Sequence, residues 1–171
     1  MKNVNQKEIS QAKEYLFDFD QILNQMSFRM LDVPISEDIT VNFIRSMIPH
    51  HLAAVYMSQN LLKYSNNTSL QEIAQNIITT QTKGIQQMKS ILNTTQGYGN
   101  SYIDVNMYQS RFFHITTSMV TKMVSSIRTH FIDMNYIKEM IPHHEGAVLM
   151  CENLLQYHID PRLKQVAQSI I

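Results

Sequence analysis

The chain has 171 residues, with 14 lysines and arginines against 14 aspartates and glutamates, so its formal net charge at pH 7 is zero. That length makes one domain, or two small ones sharing a core, and the balance removes the electrostatic footprint of a binder of nucleic acid or anionic membrane. One cysteine, Cys151, excludes an intramolecular disulfide, and no apolar run approaches the roughly 18 residues of a membrane span.

Met1–Ser10 has no apolar core and does not read as a secretory signal. Four glycines and four prolines in the whole chain favour long helices over a turn-rich all-β fold. Tyr15, Phe19, Ile22, Met26 and Met30 recur at steps of four, three, four and four, which predicts a helix over roughly 6–31. A second helix is expected over roughly 40–64, with Thr40 as its N-cap. Ser65-Asn66-Asn67 reads as a turn, and Asn67 caps a third helix of about 25 residues, about 37 Å long, carrying Leu70, Ile73, Ala74, Ile77, Ile85, Met88, Ile91 and Leu92. Asn93–Ser101, with Gly97 and Gly99, reads as a linker. Helices then follow over roughly 104–130 and 133–158, the latter with Asp133 at its start. A last helix is capped by Asp160 and has Pro161 in its first turn.

The second half resembles the first. Phe43–Tyr64 and Tyr136–Tyr157 align at an offset of 93 residues, and the 36 pairs from Phe43/Tyr136 to Ile78/Ile171 contain 18 identities. Tyr108, Phe112, Ile115, Met119 and Met123 repeat the first-helix stripe at the same offset. The expected architecture is all-α: two homologous three-helix units at 1–96 and 104–171, joined by a linker at 97–103. The second unit has no counterpart of Thr79–Leu92. An uncovered apolar strip is therefore expected near Tyr108 and Phe112 or near the linker, to be covered by the first unit or by a second chain in a homodimer.

The segment Met-Ile-Pro-His-His occurs once in each unit. At about 100° per residue, Met47, His50 and Met57 share one helical face, while His51 shares the adjoining face with Ile44, Ile48 and Val55. In the second unit Met140, His143 and Met150 share a face, and His144 goes with Ile137, Ile141 and Val148. A first helix packed on the methionine face would add Met26 and Met30, or Met119 and Met123. Thioethers around an imidazole suit copper, especially the reduced ion; hard cations want oxygen, which this face barely offers. Pro49 and Pro142 lie inside the helical pattern and should kink it beside the histidines. A methionine stripe is also ordinary core packing, and a buried histidine is often only hydrogen-bonded. Cys151 points about 100° away from Met150 and reads as structural.

Enzyme signatures fail. His144-Glu145 is followed by Val148 where a zinc-protease motif needs histidine. Methionine or isoleucine stands three residues before each histidine of the pairs, where a di-iron bundle needs glutamate. No phosphate-binding loop, dinucleotide fingerprint or nucleophile elbow is present, so catalysis has no support. The leading expectation is soft-metal binding, with copper as cofactor or cargo, for sequestration, buffering or handover. The alternative is a non-catalytic helical bundle for structure or protein interaction, with methionine-rich packing.

Met-Ile-Pro-His-His, followed one residue on by Ala-Ala-Val-x-Met or Gly-Ala-Val-x-Met, resembles the domain-of-unknown-function family numbered 305, as does the Asp-Pro-x-Leu-Lys-x-x-Ala run of Asp160–Ala167. The resemblance covers roughly 10–92, and 104–171 a second time in part. It implies a ferritin-like helical bundle, mostly of exported bacterial proteins, some associated with copper. Carried onto this chain, it points to His50, His51, Met47 and Met57, and to His143, His144, Met140 and Met150. Two departures stand out: Gly84 replaces a glutamate common in the third helix, and Leu52 replaces a polar residue that Glu145 retains.

Overall fold

The structure, a computed structural model, describes residues 6–171, and part of the Met1–Ser10 reading lies outside them. Six helices follow in order: α1 (Gln6–Leu31), α2 (Ile39–Leu62), α3 (Thr68–Thr94), α4 (Tyr102–Val124), α5 (Ile132–Leu154) and α6 (Pro161–Ile170). Among the described residues there is no strand, and no helix is long and apolar enough to cross a membrane. The chain is a helical bundle. α2 packs most extensively on α3 and then on α1, and α4 packs on α5. The two groups meet through α2 against α5, with lesser contacts of α3 on α6 and α1 on α4.

Periodicity explains which faces turn inward. Tyr15, Phe19, Met26 and Met30 of α1 are buried, as are Tyr108, Phe112, Met119 and Met123 of α4. The strip expected near Tyr108 and Phe112 is therefore covered, because α4 turns that face onto the core. Side-chain bonds recur at the 93-residue offset. Asn60 Nδ2 donates to the Tyr15 carbonyl at 2.9 Å, and Asn153 Nδ2 donates to the Tyr108 carbonyl at 3.1 Å. Asn42 Oδ1 accepts from Ser36 N at 2.9 Å, and Asn135 Oδ1 accepts from Thr129 N at 2.9 Å. These buried asparagines satisfy backbone groups at helix contacts and in the loops that turn α1 into α2 and α4 into α5.

The helix ends differ from the expectation in three places. Asp38, not Thr40, caps α2: its Oδ1 accepts from Thr40 N at 2.8 Å and Val41 N at 3.3 Å. A carboxylate there satisfies two free N–H groups and faces the positive end of the helix. Thr40 instead accepts from Asp160 N at 3.1 Å, joining α2 to the start of α6. Phe131, not Asp133, sits at the cap of α5, and it makes no side-chain cap bond. α4 ends at Val124, short of the expected 130, because Asn135 captures the backbone of Thr129 and holds the chain in a loop. Asn67 and Asp160 cap α3 and α6 as expected, with Pro161 in the first turn of α6. The linker turns at Gly97 and Gly99, whose φ of 83° and 43° favour glycine. Asp38 Oδ2 accepts from Tyr98 N at 3.1 Å, while Asn100 accepts from Ile39 N at 2.9 Å and donates to the His158 carbonyl at 2.8 Å.

Candidate metal centre

α2 and α5 bring the two Met-x-x-His-His segments together. Both helices run without interruption through Pro49 and Pro142. At their contact the His50 and His143 rings stack, with centroids 3.7 Å apart and planes 28° from parallel. Nε2 of His143 donates to the His50 carbonyl at 3.2 Å. A carbonyl can only accept, so that ring carries its proton on Nε2 and a lone pair on Nδ1. This Nδ1 is buried and has no partner, and neither ring nitrogen of His50 has a partner within hydrogen-bond geometry.

His51 lies on the adjoining face of α2, against α3. A Cβ added to Gly84 would stand 3.1 Å from both Cδ2 and Nε2 of His51, so glycine allows this approach. Gly84 stands where the resembled family often carries glutamate. His144, the matching residue of α5, is only partly buried, and its Nδ1 donates to the Met140 carbonyl at 2.9 Å. Its Nε2 is the nitrogen left to meet a ligand.

Burial is the main electrostatic influence. It pushes His50 well below the ordinary imidazole range, assisted by the charges that His143, His51 and His144 would carry. Burial, then His144 and His51, takes His143 down to about 3. Burial, then His144, takes His51 down to about 4. These three imidazoles are neutral at pH 7, the form in which histidine binds metal.

The methionines of the expected site, Met26, Met30, Met47, Met57, Met119, Met123, Met140 and Met150, all belong to the buried hydrophobic core. Among the described residues, no three His, Cys, Asp or Glu side chains are arranged to hold a metal ion. Burial pushes the Cys151 thiol up to about 12, so it stays protonated and is a poor ligand, in keeping with a structural role.

A polar network went unread in the sequence. Tyr15 of α1 donates to Glu139 of α5 at 2.6 Å, and Ser58 of α2 bonds the Tyr136 hydroxyl at 2.8 Å. Glu139 is buried, and burial raises its carboxyl to about 7, against the opposing pull of Tyr15 and Arg128. The signal was present: Glu139 lies four residues before His143, on nearly the same helical face.

Residues 40–171 match the family described as Domain of unknown function (DUF305). Among curated proteins, Uncharacterized protein L153 of Acanthamoeba polyphaga mimivirus is 42% identical over 59 residues, which cover 33% of this chain and 39% of that protein. The chain thus matches well under half of that relative's length. No solved structure matches.

Proposed function

The chain belongs to the DUF305 family, and we propose that it binds a soft metal ion, copper in its reduced state, for sequestration, buffering or handover. The observation that carries this reading is the set of buried ring nitrogens without partners: both of His50, Nδ1 of His51 and Nδ1 of His143. A buried donor or acceptor left unsatisfied costs roughly 1–3 kcal/mol, and a bound ion would offset that for each lone pair it engages. Neutral imidazole and thioether sulfur suit a cuprous ion.

The reading places two related sites, one in each of the two units. His50 would act with Met26, Met30, Met47 and Met57, and His143 with Met119, Met123, Met140 and Met150. His51 and His144 lie on the adjoining faces and have lesser roles. The asparagine bonds that recur at the same offset support treating the units as homologous.

An anaerobic cuprous titration against a competing chromogenic chelator tests this. Stoichiometric binding is expected, weakened at least about a hundredfold in the His50→Ala/His143→Ala variant and much less in His51→Ala/His144→Ala. Circular dichroism confirms that each variant folds. Equal losses from the two pairs would overturn the assignment. A second reading, a non-catalytic bundle whose methionines only pack, is favoured by the placement of all eight in the core. Failure of the folded wild type to compete for copper would leave that reading in place.

A further inference from the structure

The two histidines that stack at the contact of α2 and α5 are counterparts: His143 stands 93 residues after His50. Sites built around two residues that touch each other are forced together, however far apart they lie in sequence. A second contact fixes the register. Ser58 of α2 bonds the Tyr136 hydroxyl of α5 at 2.8 Å. Passing from Ser58 to His50 runs back along α2, while passing from Tyr136 to His143 runs forward along α5, so the two helices are antiparallel. In that register Met47 comes level with Gly146 and Ala147, and Met140 with Ala53 and Ala54. The donors of the two units therefore share one stretch of the helix contact.

That stretch is closed to water. His50 is 1% exposed and His143 0%, and Met47 and Met140 are buried beside them. Salt and water screen charges in such a place far less than at a surface. Imidazole and thioether are neutral ligands, so a cuprous ion keeps its positive charge when they hold it. A buried carboxyl, Glu139, lies one turn before His143, but its counterpart in α2 is Ser46. The two units do not each bring a carboxylate to balance an ion.

Resting on the copper reading above, we propose that the two sites are negatively coupled: an ion held at His50 opposes an ion held at His143, so the chain keeps one cuprous ion tightly and a second loosely. Two positive charges on ligands in contact, away from solvent, repel each other. Coupling between sites commonly changes affinity about 5–150-fold, and about tenfold or more is expected for a buried pair. The effect is reciprocal, so it does not depend on which ring fills first. The second ion is given up first, which suits buffering and handover.

Anaerobic cuprous titrations of the whole chain against competing chelators of graded strength test the coupling. Wild type is compared with His50→Gln and His143→Gln, each of which keeps one of the two sites and should bind one ion. The product of the two stepwise association constants of wild type should fall at least about tenfold below the product of the two single-variant constants. Circular dichroism checks folding, and the alanine variants replace a glutamine variant that does not fold. A wild-type product equal to or above that of the single variants would overturn the coupling and leave the copper reading standing. A folded wild type that takes up no cuprous ion would overturn both.

Discussion

The Tyr15 hydroxyl donates to the Glu139 carboxyl at 2.6 Å, joining α1 to α5 across 124 residues. Tyr108, which stands 93 residues after Tyr15, has a buried hydroxyl with no partner, because Ser46 occupies the position matching Glu139. Tyr15→Phe should therefore destabilise the fold by roughly 1–3 kcal/mol, leaving a buried carboxyl without its donor. Tyr108→Phe should be neutral or stabilising, since it removes an unsatisfied hydroxyl. Urea unfolding of the two variants beside wild type reads the contrast.

Acid should unfold the metal-free protein through its histidines. The folded values of His51, about 4, and His143, about 3, lie below the ordinary imidazole value of 6.5, and His50 is lowered too. The unfolded chain therefore binds more protons, and stability falls as pH drops below about 6.5. The slope approaches about 1.4 kcal/mol per pH unit for each histidine that stays neutral. A His143→Gln variant should show a shallower fall between pH 6.5 and 4 in urea midpoints; an unchanged slope would count against a neutral buried His143.

Glu139 works in the opposite direction. Its carboxyl is raised from 4.5 to about 7, so the folded state holds a proton that the unfolded chain releases. Its contribution is favourable below about pH 4.5 and is lost as pH rises towards 7. Glu139→Gln keeps an acceptor for Tyr15 and removes the titration. Relative to wild type, the variant should gain on the order of 2 kcal/mol between pH 4.5 and 7.5. Parallel melts at the two pH values measure it, and a constant difference would show that Glu139 titrates normally.

Gly146 is required by Met119. A Cβ added at Gly146 would stand 2.4 Å from Met119 Sδ and 3.2 Å from its Cβ. Gly146→Ala should cost about 1–3 kcal/mol through overpacking, despite alanine's better helix propensity. In a Met119→Ala background the same change should no longer be harmful, and a double-mutant cycle would report the coupling.

Replacing Met26, Met30, Met47 and Met57 together by leucine keeps volume and apolarity, with each swap costing less than about 1.5 kcal/mol. The variant should fold and lose cuprous affinity far more than cupric affinity, because thioether is a soft ligand. Unchanged cuprous binding would return these residues to packing alone.

The sequence by itself determined the six helices, the caps at Asn67 and Asp160, and the inward stripes such as Tyr15–Met30. All of these are local: apolar periodicity sets which way a side chain points around its own helix, and a cap is read within a few residues. It also placed His50 and His51 on different faces of α2, while only the structure showed α3 meeting the His51 side. It did not determine what His50 would meet. The stack on His143 and the Tyr15–Glu139 bond were decided by tertiary structure. Each depends on which helix faces which, at what level and over what length. A helical wheel fixes rotation about one axis and carries no information about the distance or offset of another.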